Sequence, residues 1–175
     1  KSFAITMSLP VVGDAVSMPV GQKGADLWFG LQFRHDKKIK KKWIMDTKKF
    51  KVIIVEDVKL ELKGTEEIFR HEIPNAEVIG TAMTEAEFWP LLEKGHPDMV
   101  LLDLGLGGST TIGVDICASL RKDFPGIKVL IFTGEVLNEK LWVDVLNAGA
   151  DGIILKTGEL LTAVDVQAVM EGKKL

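Results

Sequence analysis

From residue 51 onward, short apolar runs rich in β-branched residues alternate with stretches that have helical spacing. The apolar runs are KVIIVED (51–57), NAEVIGTA (75–82), PDMVLLD (97–103), GIKVLIFTG (126–134) and DGIILK (151–156). The stretches that follow them are KLELKGTEEIFRHE (59–72), TEAEFWPLLEK (84–94), GVDICASLRKDF (113–124), NEKLWVDVLNAGA (138–150) and ELLTAVDVQAVMEG (159–172). Five strand–helix units in strict succession predict an α/β fold, a doubly wound five-stranded parallel sheet with helices on both faces.

The charge divides the chain of 175 residues into two parts. Residues 1–50 hold ten Lys/Arg and four Asp/Glu, a balance of +6, whereas the remaining residues hold twelve and twenty-one, a balance of −9. We expect residues 1–50 to be an N-terminal basic extension, either non-native or a linker, and residues 51–175 to be the folded domain. The basic run HDKKIKKKW is able to attract nucleic acid or an acidic membrane surface, but a solvated linker is the favoured interpretation.

Several classes of protein are excluded by simple features. Cys117 is the single cysteine, which rules out an intrachain disulfide. No apolar run is long enough to span a bilayer, and the opening KSFAITMSLPVVG has too short an apolar stretch for a signal peptide. These features predict a cytoplasmic protein with no membrane association.

Acidic side chains end two of the predicted strands. Glu56 and Asp57 end the first strand, and Asp103 ends the third. In a doubly wound sheet these two strands are neighbours, so the three carboxylates converge on the crevice where such folds bind ligands. Carboxylates crowded together repel one another unless a hard cation neutralises them, and a few carboxylates, a backbone carbonyl and waters suit Mg²⁺. The sequence therefore predicts a magnesium site.

Two further side chains end strands at the same edge of the sheet. Thr133 ends the fourth strand and Lys156 the fifth, bringing a hydroxyl and an ammonium group to the acids. This set suits the handling of a phosphoryl group, with Asp103 as the nucleophile that forms an acyl phosphate. Taken alone, Asp103 is a strand-end cap, Lys156 a solvated lysine and Thr133 a β-favouring residue, so the functional interpretation depends on the group.

Four fragments, IIVED, VLLDL, IFTG and AGADGIILK, occur in this order. Over about residues 50–172 the sequence resembles the receiver domain of two-component response regulators, a flavodoxin-like (βα)5 fold. By that resemblance Asp103 is the phosphoacceptor, phosphorylated by a histidine kinase or a phosphotransfer protein. The domain is then not an enzyme, except that it catalyses its own phosphoryl transfer and dephosphorylation.

The resemblance also implies roles for the other residues. Asp57 is a direct Mg²⁺ ligand, Glu56 binds the metal through water, Asp103 is a ligand as well, and the backbone carbonyl of Gly105 is the third protein contact. Thr133 and Lys156 hold the phosphoryl oxygens and report the new charge.

The resemblance implies partners beyond the kinase. The output is either a downstream protein or a C-terminal output domain missing from this sequence, because the C-terminal end resembles receivers that continue into a helix-turn-helix domain. The receiver itself is expected to make no contact with nucleic acid, and a homodimer is left open.

Two departures from the family pattern keep alternatives open. The loop GLGGSTTIG lacks the usual proline and is longer, and Ile153 stands where Tyr or Phe is usual three residues before the lysine. The alternative is a receiver-like protein interaction module that works independently of phosphorylation. A phosphatase of the aspartyl-phosphate type ranks last, because Gly105 occupies the place of its second acid.

Overall fold

The computed structural model describes residues 48–135, 138–156 and 161–173. Almost all of the predicted extension, residues 1–47, lies outside these ranges, and every described residue belongs to the compact unit Ile44–Leu175. Strands and helices alternate as β1 (Phe50–Val55), α1 (Lys59–Glu72), β2 (Ala76–Ala82), α2 (Glu85–Gly95), β3 (Met99–Leu102), α3 (Thr110–Asp123), β4 (Lys128–Thr133), α4 (Glu139–Ala148), β5 (Gly152–Leu155) and α5 (Ala163–Met170).

The five strands form one parallel sheet in the order β2-β1-β3-β4-β5. Val55 pairs with Leu102 and Leu102 with Ile131, so β1, β3 and β4 end almost level with one another. The chain runs from β1 outward to β2 and then returns to place β3 on the other side of β1. This reversal opens a crevice beyond the carboxyl ends of β1 and β3, and the predicted doubly wound sheet is confirmed.

Two apolar layers enclose the sheet. Successive residues of a strand point to opposite faces. In β3, Met99 and Leu101 therefore join the cluster under α1 and α5, whereas Val100 and Leu102 join the cluster under α2, α3 and α4. All four are buried. A strand covered on both faces needs apolar residues throughout, which explains why its sequence shows no polar alternation.

Helix α3 begins earlier than its sequence pattern predicts. It starts at Thr110 rather than Gly113, because a single 3₁₀ turn, Leu106–Gly108, reverses the chain soon after β3. Gly107 and Gly108 in this turn have φ of 60° and 75°, a left-handed conformation that glycine adopts without a steric penalty. The glycine-rich loop therefore has a defined, compact path beside the crevice.

A partly buried ionic cluster holds the opposite edge of the sheet, where β4 and β5 begin. The Asp151 carboxylate accepts hydrogen bonds from the Arg121 guanidinium at 2.5 Å, the Lys128 ammonium at 3.2 Å and the Val129 N–H at 3.0 Å. Burial opposes ionisation, but these three donors outweigh it and hold the pKa of Asp151 below its ordinary value. Arg121 also donates to the carbonyl of Gly149 and so ties α3 to the end of α4.

Within the described ranges, none of the helices combines the length and the apolar character needed to cross a membrane.

Candidate functional site

All five side chains singled out from the sequence lie at the carboxyl edge of the sheet. Glu56 and Asp57 follow β1 directly, Asp103 follows β3, Thr133 is the last residue of β4, and Lys156 follows β5. The parallel order of the strands brings residues up to 100 positions apart in the chain to one place. The five side chains therefore lie at the edge of the sheet that borders the crevice.

The three predicted carboxylates form a compact cluster. Glu56, Asp57 and Asp103 each offer an oxygen, and these oxygens lie within 4.8 Å of one another. Glu56 and Asp103 are buried, and Asp57 is partly exposed. The Val58 N–H donates to Glu56 at 3.0 Å, and the Gly105 N–H donates to Asp103 Oδ2 at 2.9 Å. Burial raises the pKa of the Glu56 carboxyl, although the bonds from Lys156 and Val58 oppose part of that shift.

The Lys156 ammonium lies among these acids. It donates to Glu56, to Glu61 Oε2 at 2.6 Å and to Asp103 Oδ1 at 3.2 Å. It also lies 5.6 Å from the centre of the Phe132 ring. Burial alone lowers the pKa of an ammonium, but the bonds to Glu56 and Glu61 and the charge of Asp103 outweigh burial, so the pKa of Lys156 is raised. Lys156 therefore stays charged and partly neutralises the cluster.

The glycine-rich turn closes over the partly exposed acid. The Gly107 N–H donates to Asp57 Oδ2 at 2.8 Å, and the Gly105 carbonyl accepts the Gly108 N–H at 3.1 Å. Helix α3 packs closely behind this turn. The closeness is visible at Gly113, where a Cβ would lie only 2.6 Å from the Leu104 Cα. The Gly105 carbonyl keeps a second lone pair, so its bond to Gly108 is compatible with the metal contact predicted for it.

Thr133 is fully buried and faces its own loop. Its Oγ1 accepts the Glu135 N–H at 3.1 Å, and within the described part of the chain it makes no hydrogen bond to Asp103. Ile153 stands three residues before Lys156, where the family pattern has Tyr or Phe. Its side chain is partly buried and packs against the core cluster under α2, α3 and α4. Because Thr133 Oγ1 accepts the bond from Glu135, its O–H remains a donor that a phosphoryl oxygen could accept.

Two acids at the site were missed in the sequence. Glu61, in the first turn of α1, bonds to Lys156, and Glu135 lies beside Gly105, where a Cβ would be 3.1 Å from Glu135 Oε1. Glu61 could have been found from its position, because it is an acid in the first turn of the helix that follows β1, and β1 ends in the site. Glu135 lies two residues after Thr133, in the loop that leaves the site.

The chemistry of the cluster follows from its charges. Even apart from Glu135, the acids at the site outnumber the Lys156 cation: they are Glu56, Asp57, Glu61 and Asp103. Clustered carboxylate oxygens are the ligands that hard divalent cations prefer. Asp103 has a carboxylate beside an ammonium at the mouth of a crevice, an arrangement suited to accepting an electrophilic group.

Comparison with known proteins identifies the family. The model for the response regulator receiver domain matches residues 52–165, which include every predicted site residue. The chain belongs to the response regulator receiver family. Phosphorylation-based switching is the general role of these receiver domains, and they generally bind Mg²⁺.

Curated relatives of this receiver domain are response regulators. The DNA-binding transcriptional activator DevR/DosR of Mycobacterium tuberculosis is 28% identical over 106 residues, which cover 61% of this chain and 47% of that protein. The transcriptional regulatory protein DegU of Brevibacillus brevis is 28% identical over 128 residues, covering 73% and 50%. The chain spans about half the length of these relatives.

Solved structures share the receiver fold. The isolated receiver domain of RcsB from Salmonella enterica serovar Typhimurium, determined with the phosphomimetic BeF3−, superposes with a TM-score of 0.65 at 23% identity and covers 73% of this chain and 92% of that one. At this identity the match establishes the fold alone.

Proposed function

We propose that this receiver domain accepts a phosphoryl group on Asp103 and that the change of charge alters its affinity for a partner. The observation that carries the proposal is the position of Asp103, which is buried at the end of β3, bonded to Lys156 and within 4.8 Å of the oxygens of Glu56 and Asp57. A buried carboxylate held beside an ammonium is oriented for attack, as a nucleophile must be.

The proposed phosphoryl transfer is a simple displacement. A carboxylate oxygen of Asp103 attacks the phosphorus of the donor, and a P–O bond forms. The bond between phosphorus and the leaving atom of the donor breaks, and the leaving group departs with the electron pair. Lys156 donates to the phosphoryl oxygens, whose charge it stabilises within a partly desolvated site.

The acidic cluster fits Mg²⁺, because three carboxylate oxygens lie close together with more negative charge than Lys156 neutralises. Glu56, Asp57, Asp103 and the Gly105 carbonyl are the residues that would hold the ion. When bound, Mg²⁺ screens the charge of the carboxylates and of the incoming phosphoryl oxygens. These residues would thus make the attack of one anion on another feasible.

The proposed switch uses Thr133 and Lys156. A phosphoryl group brings acceptor oxygens to which the Thr133 hydroxyl can donate and which compete with the acids for the Lys156 ammonium. Each of these residues precedes a helix along the chain, α4 after Thr133 and α5 after Lys156. A shift of either residue would therefore change the surface that the fourth and fifth helices present.

The proposed partners follow the family and the relatives. A histidine kinase or a phosphotransfer protein would supply the phosphoryl group, and the output would be a downstream protein or a further domain. The printed names of the relatives, a DNA-binding transcriptional activator and a transcriptional regulatory protein, favour a regulator of transcription. Enzymatic activity is proposed only for phosphoryl transfer to and from Asp103. A cytoplasmic location and the domain boundary near residue 50 remain predictions.

The test is intact-mass spectrometry after incubation with acetyl phosphate and Mg²⁺. We expect a gain of one phosphoryl group in the native protein, with acetate as the leaving group. Asp103→Asn and a chelator will abolish the gain, whereas Asp115→Asn, at an exposed position on α3, will leave it intact. No gain under conditions where calorimetry shows Mg²⁺ binding would reject the proposal. It would favour the interaction module that works without phosphate, which Ile153 and the unusual loop GLGGSTTIG support.

A further inference from the structure

Glu61 is the one carboxylate in contact with Lys156 that the proposed mechanism leaves without a role. Its Oε2 lies 2.6 Å from Lys156 Nζ, closer than Asp103 Oδ1 at 3.2 Å. Glu61 lies in the first turn of α1, 95 positions away from Lys156 in the sequence. Helix α1 thus reaches over the site with a charged group of its own.

Glu61 differs from the other two acids that bind Lys156 in its exposure. Its side chain is 47% exposed, against 4% for Glu56 and 8% for Asp103. Its ionic contact in the described part of the chain is with Lys156, whereas nearby Lys63 pairs with Glu66. Glu61 therefore holds Lys156 from the solvent side of the site, opposite the buried acids.

An ammonium group has three N–H donors, and Lys156 directs its bonds to three carboxylates. The oxygens of a phosphoryl group on Asp103 would need one of these donors. A strong contact with Glu61 competes for the ammonium and places a negative charge at the rim that an anionic phosphodonor must pass.

We propose that Glu61 is a positioning residue that restrains Lys156 and thereby slows phosphorylation of Asp103. The inference rests on the proposed function, in which an Asp103 oxygen attacks phosphorus, the bond from phosphorus to the acetyl oxygen of acetyl phosphate breaks, and acetate leaves. Release of Lys156 from Glu61 gives the ammonium more freedom to follow the phosphoryl oxygens. Glu61 thus sets the readiness of the receiver to respond to a donor.

Three variants separate the contact from the charge. Glu61→Ala removes both, and Glu61→Asp keeps the charge but shortens the side chain by one methylene, so that the contact with Lys156 is lost. Glu72→Ala is the matched control, because Glu72 is an exposed acid at the other end of α1. The rate of phosphoryl mass gain is measured against acetyl phosphate concentration at saturating Mg²⁺.

We expect Glu61→Ala to raise the rate roughly two- to five-fold, the range that an exposed ion pair supports. Glu61→Asp will also raise the rate, and Glu72→Ala will leave it unchanged. If Glu61→Ala is phosphorylated faster than the native protein but Glu61→Asp is phosphorylated at the native rate, the proposal is overturned. The charge at this position, and not the contact with Lys156, would then control the rate. An unchanged or slower rate in both Glu61 variants would overturn it as well.

A second measurement keeps this inference separate from the proposed function. The ¹⁵Nζ resonance of the Lys156 ammonium, followed by NMR without any phosphodonor, will shift in both Glu61 variants and stay in place in Glu72→Ala. If the native protein gains no phosphoryl group, the proposed function fails, and the resonance still decides whether Glu61 holds Lys156. An unshifted resonance in the Glu61 variants overturns the inference whatever the rates are.

Discussion

Replacement of Asp151 by Asn will destabilise the fold strongly, although Asp151 lies far from the proposed phosphoacceptor along the sheet. The substitution keeps the shape and the acceptor for the Val129 N–H, but it removes the charge that faces Arg121 and Lys128. Two cations then share a partly buried space without a counter-ion. Asp123→Asn, at an exposed position in the last turn of α3, removes the same charge and serves as the control.

The magnitude follows from the burial of the three side chains. Loss of one partner of a buried ion pair costs about 3–5 kcal/mol. The Arg121 and Lys128 side chains are 32% and 27% exposed, so water compensates part of the loss. We expect a decrease of about 2 kcal/mol in the free energy of unfolding at pH 7, which corresponds to about 6–10 °C in Tm for a domain of this size. Asp123→Asn will stay within about 0.5 kcal/mol of the native protein.

The pH dependence has a definite sign. The pKa of Asp151 in the folded state lies below its ordinary value of 3.8. The Asp151 carboxylate is therefore protonated at a lower pH in the folded protein than in the unfolded chain. The contribution of Asp151 is present in full above its unfolded pKa and is lost as the pH falls through the folded pKa. The difference between native protein and Asp151→Asn will therefore be constant from about pH 5.5 to 8 and will shrink towards pH 3.

Urea titration followed by circular dichroism measures these differences. A change below 0.5 kcal/mol at pH 7, or a difference that widens as the pH falls, would refute the reasoning. Intact-mass spectrometry of the same variant at 20 °C will still show the phosphoryl gain, because the ionic cluster lies at the opposite edge of the sheet.

Two further predictions concern packing and capping. Gly113→Ala will destabilise the domain by about 2 kcal/mol in urea titration, because its Cβ would lie 2.6 Å from the Leu104 Cα, whereas Gly126→Ala, with nothing within 4 Å of its Cβ, will stay within about 0.5 kcal/mol. Equal effects in the two variants would contradict this. Thr162→Ala will lower the free energy of unfolding by about 1 kcal/mol, because it removes the capping box at the start of α5. In this box the side chains of Thr162 and Asp165 each accept a hydrogen bond from the backbone N–H of the other. An unchanged urea midpoint would show that the box does not stabilise α5.

The strands and the acids at their ends could be predicted from the sequence for a local reason. A strand covered on both faces must be apolar along its whole length, so β3 ends where Asp103 begins, and Glu56 and Asp57 end β1 in the same way. These are properties of neighbouring residues. Once the strands are parallel, their carboxyl ends share an edge, and the position of the crevice follows.

The path of the glycine-rich loop could not be predicted in the same way. Helix α3 begins at Thr110, because Gly107 and Gly108 adopt positive φ in a turn whose N–H reaches Asp57. The spacing of apolar residues in the sequence marked only the part of α3 that faces the core. The turn before it depends on a contact with β1's end, 50 positions earlier in the chain.

The sequence by itself determined the fold class, the family and the strand-end groups, because each depends on local pattern and on the order of the strands. Only the tertiary structure decided which charges meet: Glu61 reaches Lys156 across 95 positions, and Arg121 reaches Asp151 across 30. Pairing at such distances depends on the direction in which each helix presents its side chains. That direction is set by packing against the sheet and is absent from any local pattern.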